Sequence, residues 1–573
     1  MIAWLRQHWW WVLAGVVSFT KISFLRSQHI YAIGGARHDD ALFANLAAQI
    51  VRGNWLGPYD QLTLSKGPAY PIFIAMNFWA GLPLALTQQL LYVVACFVVV
   101  WALAPIVKAG WVRFLIVIFL VLNPFTYEGE NMTRLLRQHL TVPLALIVVA
   151  GVMAILLRRR DEWANRWPWA LLTGGALGVF FLSREEGIWI MPLLVVGAVT
   201  LGVDAWKGGW LERCRWAIVV GLVSLTAWAP IMAISLKNER HYGWYGTVDF
   251  RAEEFQELVG ALTRVTVGPE RPYVQVSREA REAIYEVSPA FAELRPHLEE
   301  GPATAWVEKQ KYPAEERQYM TGWFNWALRD AMANAGKMET PRAFLDYCSQ
   351  IAREVNEACD AGKLPAVGPR SGFMPRWHPE YAVAMKREWK RFLGEALQLE
   401  GFVTIVPSSI GTDDDIRAFV DLSYDNLSPS HNATYFHKPD QLDLNRFKLD
   451  SLRDFGLWIK GKYQTIFLLA AALLVARLLE CAVRRKWSWL AWMSLLVTGA
   501  AMSSLAVNFL VHTMAFEYFY PAVFATAYPL LQFAALLAII DVGQAWARPA
   551  LQWAWRRGMD RWNRRKSTEP AKA

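Results

Sequence analysis

LTVPLALIVVAGVMAILL, residues 140–157, followed at once by Arg158-Arg159-Arg160, decides the fold. As a helix this uncharged run reaches about 27 Å, close to the ~30 Å of bilayer hydrocarbon. The three arginines behind it mark the end expected to stay in the cytoplasm. Outward from this stretch, comparable apolar runs centre on 9–26, 84–103, 111–127, 169–182, 188–203, 216–236, 463–479, 489–510 and 521–540. Together they make ten expected spans, which implies an all-α polytopic membrane protein. The first run contains Lys21 and is the weakest. Only Arg6 precedes it and no small-residue cleavage site follows, so it reads as a retained span and not a removed signal peptide.

Charge orients the chain. The connectors assigned to the cytoplasm carry Arg158-Arg159-Arg160, Lys207 with Arg213 and Arg215, and Arg484-Arg485-Lys486. The outer connectors 128–138 and 183–187 hold only Arg134, Arg137 and Arg184 as cations. Ten spans then return the C-terminus to the cytoplasmic side of the N-terminus. Much of the net charge of +9 is therefore topological and does not point to nucleic acid. Within the tail 546–573, the stretch 546–565 alternates Trp with Arg, as suits a helix on an anionic inner leaflet. Five cysteines give no disulfide framework. Cys348 and Cys359 share one expected helix, about 16 Å apart along its axis, beyond the ~7 Å that a disulfide spans.

Four regions follow: a seven-span module over 1–236 with an outer loop at 27–83, a charged and proline-containing outer segment at 237–460, a three-span module at 461–545, and the basic tail 546–573. The outer segment reads as mostly helical, either as a domain or as helices wrapped over the membrane face. Thr340 and Pro341 open its clearest helix, 341–361, with Phe344, Leu345, Cys348, Ile351 and Val355 as the buried stripe. Further helices are expected from Ser288-Pro289, over 324–335 and over 379–397.

The residues that could carry chemistry lie in the outer connectors. Arg37-His38-Asp39-Asp40 follows the first span, and two carboxylates there do not help it insert. One can serve as a general base; alternatively both cap the following helix, 41–51. Lys66, in Leu64-Ser65-Lys66-Gly67-Pro68-Ala69-Tyr70-Pro71, offers a cation to a lipid phosphate or snorkels to the interface. Arg134 and Arg137 would share a face of any helix, and guanidinium forks suit phosphate. Glu128 and Glu130 either neutralise them or touch substrate. Arg184 and Glu185 sit in a very short turn, where charges so near hydrocarbon pair or face a polar cavity. His512, Glu517 and Tyr518 lie between the last two spans, as sugar contacts or part of an aromatic belt. Asp413-Asp414-Asp415 reads as helix capping before it reads as a cation site. No nucleotide loop, dinucleotide fingerprint, zinc spacing or nucleophile elbow occurs.

The acid pair with His38 in the first outer loop, the Lys66-Gly67-Pro68-Ala69-Tyr70-Pro71 stretch before the second span, and the charged short outer loops resemble the GT-C superfamily of membrane glycosyltransferases. That class includes protein O-mannosyltransferases and aminoarabinose transferases. The resemblance is clearest over residues 30–200, and the large insertion after the seventh span departs from simpler members, whose outer domain is C-terminal. It implies transfer of a sugar from a polyprenyl-phosphate donor to a hydroxyl of a glycan, lipid or protein at the outer face of a bacterial inner membrane. In that implication Asp39 or Asp40 is the base, and Lys66, Arg134, Arg137 and Arg184 bind the departing phosphate. His38, Glu128, Glu130, Glu185, His512, Glu517 and Tyr518 would contact acceptor or sugar. No motif requires a cofactor, and the resemblance leaves a divalent metal open. Two other classes fit the same membrane pattern. A transporter or flippase would use the cations as a lipid-phosphate path, although no inverted repeat is visible. A non-catalytic receptor or assembly factor would need the 237–460 segment and not the acid pair.

Overall fold

The computed structural model describes residues 2–184, 187–307, 317–399, 401–425, 443–515 and 521–547. Among these residues the architecture is helical, and β-pairing is confined to isolated bridges such as Ile33 with Ile410. The first part of the chain runs through α1 (Ile2–Leu25), α2 (Asp40–Val51), α3 (Ala69–Trp79), α4 (Leu84–Ala102), α5 (Gly110–Val121), α6 (Gln138–Leu157), α7 (Trp167–Ser183), α8 (Met191–Lys207) and α9 (Trp210–Tyr242). The insertion supplies α10 (Glu253–Arg264), α11 (Arg278–Tyr285), α12 (Pro289–Ala292), α13 (Arg295–Glu299), α14 (Thr321–Asn334), α15 (Pro341–Asp360), α16 (Pro379–Gln398) and α17 (Asp413–Ser423). The last three are α18 (Asp443–Arg484), α19 (Trp489–Met514) and α20 (Ala527–Val542).

Seven helices are long and apolar enough to cross a membrane: α4, α6, α8 with its leading turn, α9, α18, α19 and α20 with its trailing turn. The other three expected spans are not among these seven. The run expected over 111–127 ends as α5 at Val121, because Asn123 caps a tight turn opened by Pro124. Twelve residues reach only about 18 Å. α7 has 17 residues, and in α1, of 24, the apolar part is Trp9–Leu25. Lys21, the charge that weakened the first run, is buried but donates to Gln89 Oε1 at 3.0 Å and Thr126 Oγ1 at 2.7 Å.

Burial separates centre from rim. The apolar stretch of α6 is wholly enclosed, whereas that of α9 is only 11% buried. Leu225 and Trp228 of α9, and Val195 and Val199 of α8, are exposed. A helix that is apolar on its outer face as well as its inner one needs lipid as solvent, so the chain is an integral membrane protein. Gly174 and Gly178 let α7 close onto α9, since a Cβ on Gly178 would lie 2.3 Å from the Ala227 carbonyl oxygen.

The insertion has two destinations. Phe255, Leu258, Phe324, Phe344 and Ile351 belong to a core of its own, whereas Phe392, Phe402 and Phe419 join the core of the bundle. It is thus both a packed domain and a wrap. α9 and α18 run continuously into it, to Tyr242 and from Asp443. Local chemistry explains the helices: Thr340 Oγ1 accepts from the Ala343 amide, and the whole expected stripe of α15 is buried. The helix from Ser288 stops after four residues, because Pro296 has no N–H to give the Ala292 carbonyl, and α13 starts afresh at Arg295. Thr412 and Asp415 form a capping box, so Asp413, Asp414 and Asp415 are the first turn of α17. Cys348 and Cys359 are buried and unpaired.

Candidate active site

The acid pair opens α2: Asp39 is the N-cap residue yet makes no side-chain cap bond, and Asp40 is the acid of the first turn. Instead each acid has its own cation. Asp40 is fully buried and paired with Arg134, whose Nε lies 3.3 Å from Oδ1 while Nη2 donates to Oδ2. Asp39 lies 2.6 Å from Lys66 Nζ, and its side chain remains 47% exposed. Lys66 also donates to the His38 carbonyl. Two adjacent residues therefore divide into a sequestered carboxylate and an accessible one.

Electrostatics sharpen that division. Burial alone would raise both acids. At Asp39 it is outweighed by Lys66, then Arg137 and Arg134, and the carboxyl sits below its usual range. At Asp40 burial prevails over Arg134, and the group titrates above its usual range. His38 is pushed down, first by burial, with Lys66 acting in the same direction against Asp330 and Asp39.

Arg134 and Arg137 are not on a common helix as expected. Arg134 lies in irregular turns, and Arg137 is the residue before α6. They still converge on the acid pair, as the influence of both on Asp39 requires. Arg137 donates to the Ser183 carbonyl at 3.2 Å, which brings the end of α7 to the site; Arg184 is the residue that follows that end. Phe43, buried in α2, lies between two cations: Lys66 Nζ is 5.6 Å from its centroid and the Arg137 Cζ is 5.7 Å.

Sequence reading missed what lies over the acids. The His38 ring meets Trp306 and Trp326 edge-on, each at 4.7 Å, and Trp306 stacks on Trp323 at 5.2 Å. Lys66 Nζ is 5.9 Å from the Trp326 centroid. Asp330 fixes Trp306 through its indole N–H at 2.7 Å. His38 Nδ1 is buried with no hydrogen-bond partner among the described residues. Sequence reading also missed the anchor of the Lys66 turn. Asp249 and Arg329, both wholly buried, pair at 3.0 Å. Arg329 donates twice to the Gln61 carbonyl, at 3.1 and 2.8 Å, and Tyr59 Oη donates to Asp249 at 2.6 Å.

Other expected site residues divide as follows. Glu128 is buried and accepts from the Glu130 and Asn131 amides at 2.9 and 2.6 Å, so it shapes its own loop instead of neutralising the arginines. Burial pushes its carboxyl up. Glu130 is exposed on that turn. His512 is buried in the last turn of α19. Glu185, Glu517 and Tyr518 lie outside the described residues. Among the described residues no three His, Cys, Asp or Glu side chains converge as a metal site. At the acid pair both carboxylates are already engaged by cations, so the donor set does not fit a metal.

No family model and no curated protein sequence matches the chain. It is similar to the crystal structure of ArnT from Cupriavidus metallidurans bound to undecaprenyl phosphate, with 16% identity over 94% of this chain and 78% of that one, at a TM-score of 0.30. The apo structure of ArnT gives 16% identity, 93% and 78% coverage, and a TM-score of 0.29. At these scores the likeness assigns no residue.

Proposed function

We propose that the chain is an integral membrane glycosyltransferase of GT-C type, which moves a sugar from a polyprenyl-phosphate donor to an acceptor hydroxyl. The observation that carries this reading is the accessible Asp39 carboxylate 2.6 Å from Lys66 Nζ, beside a buried Asp40–Arg134 pair. The cluster stands at the beginning of α6, whose stretch 140–157 carries no charge, which is the depth at which a lipid phosphate meets water. Its membrane is the bacterial inner membrane, with both termini in the cytoplasm and the 237–460 segment on the outer side over the donor.

In this reaction the acceptor oxygen attacks the anomeric carbon as the bond from that carbon to the phosphate oxygen breaks. The electron pair leaves on polyprenyl phosphate, and Asp39 takes the acceptor proton. One displacement inverts the anomeric centre. Lys66, Arg137 and Arg184 meet the growing phosphate charge, where preorganised cations matter most. Asp40 holds Arg134 and does not act as the base, since it is closed to acceptor. The Trp306 and Trp326 faces, with His38 between them, suit a sugar ring.

Lys66 then has two partners in turn. In the free protein it lowers Asp39. When the donor phosphate draws Lys66 away, Asp39 loses its strongest stabilising charge and becomes a better base only once substrate is present. Titration of the purified full chain with a polyprenyl phosphate tests this. Lys66→Ala weakens binding, and Asp39→Asn binds at least as tightly as wild type. Equal affinity of wild type and Lys66→Ala would remove Lys66 from the phosphate site.

A further inference from the structure

The helices α6 to α9 enclose an apolar groove of 480 Å³, with Val152, Leu177, Val195, Val223 and Trp228 among its walls. Val195 and Trp228 are 55% and 60% exposed, so the groove opens sideways toward lipid. At one end it meets a second cavity of 210 Å³, and the two share Ile155, Leu201 and Val219. This second cavity is charged. Arg159, Arg160, Arg166, Lys207 and Arg215 line it against Asp204 and Glu212, five cations to two acids.

The acids are already shared. Asp204 pairs with Arg159 at 2.7 Å and Arg160 at 3.7 Å, while Glu212 pairs with Arg215 at 2.5 Å and Arg166 at 3.6 Å. Lys207 enters none of these pairs. Arg166 is 5% exposed, and its Nε has no hydrogen-bond partner among the described residues. A buried guanidinium N–H left unmatched is costly unless a ligand meets it.

Position separates this cavity from the acid pair. Arg137 precedes α6, and Arg158 follows its 20 residues, a rise of about 30 Å. The basic cavity is therefore at the opposite membrane face. We infer that groove and cavity together hold an anionic phospholipid of that opposite leaflet, with an acyl chain along α8 and α9 and its phosphate on Arg166, Arg160 and Lys207. Charge complementarity selects the anionic headgroup, and the continuous apolar groove selects a lipid over a free phosphate. This site is independent of the proposed donor site.

Native mass spectrometry of the full chain, released from mixed micelles of equal phosphatidylglycerol and phosphatidylcholine, tests the inference. Wild type is expected to retain phosphatidylglycerol preferentially. Arg160→Gln and Lys207→Gln, each at an exposed side chain, are expected to cut that preference about fivefold apiece, or ~1 kcal/mol. Val195→Trp fills the groove from its lipid side and is expected to reduce retention of phosphatidylglycerol. Unchanged polyprenyl phosphate binding in all three variants shows that they remain folded. Equal retention of the two lipids by wild type, or a preference that survives the Arg160, Lys207 and Arg166→Gln changes, would overturn it.

Discussion

Arg329→Met tests how the insertion positions Lys66. The Arg329 guanidinium and the Asp249 carboxylate are both fully buried and 3.0 Å apart. Removing the cation alone strands a buried carboxylate, at a cost of about 3–5 kcal/mol. The Gln61 carbonyl also loses two donors. The Asp249→Leu, Arg329→Met double variant carries no stranded charge, so its penalty is the smaller ~1–3 kcal/mol of leaving Tyr59 and Gln61 without partners. The double variant is thus expected to be more stable than Arg329→Met alone, a coupling that independent sites do not produce. Because the damage falls on the turn that leads to Lys66, hydrogen exchange of the backbone over 58–66 is the assay. A loss of ~3 kcal/mol accelerates exchange there about 10²-fold, and kcat/KM falls with it as Lys66 loses its place. Unchanged exchange in 58–66, with full activity in Arg329→Met, would refute the reasoning.

Three further outcomes are expected. In Lys66→Ala, burial is no longer opposed by the nearest cation, so Asp39 titrates higher. The acid limb of residual kcat/KM, which in wild type lies below the usual carboxylate range, moves up in pH; an unmoved limb contradicts the Asp39–Lys66 coupling. In Trp326→Ala the loss of a ring beside His38 and Lys66 costs ~0.5–1.5 kcal/mol of sugar binding, read as a severalfold rise in KM for the donor at fixed kcat. In Asp40→Ala the Arg134 guanidinium loses its buried partner, and destabilisation of about 3–5 kcal/mol is expected in thermal unfolding, where Asp39→Ala has far less effect. Equal destabilisation by the two would contradict the division between a sequestered and an accessible acid.

Much of this was legible in the sequence, for identifiable reasons. An unbroken run such as 140–157 needs no tertiary context to be read, and α6 occupies it. The run over 111–127 reads longer than its helix because Pro124 and the Asn123 cap end α5 while apolar composition continues. The acid pair and its cations stood out as charges beside hydrocarbon. Their pairing did not: Lys66 reaches Asp39 from a turn anchored by Asp249 and Arg329, and no local pattern links residues so far apart in the chain. The aromatic cover was equally hidden. With 30 tryptophans in the chain, most suited to interfacial anchoring, nothing local distinguishes Trp306, Trp323 and Trp326 from the rest. In the sequence Glu128 reads as a charge near arginines, whereas its amide bonds at 2.9 and 2.6 Å are local turn chemistry.

The most direct test is mass spectrometry of lipid-linked sugars in cells carrying wild type or Asp39→Asn at matched protein levels. A lost general base slows transfer by ~10²–10⁴-fold, so one polyprenyl-phosphate sugar should accumulate in the variant alone and identify the donor. Unchanged lipid pools, with Asp39→Asn complementing a deletion as well as wild type, would contradict the transferase account and favour a transport or binding role.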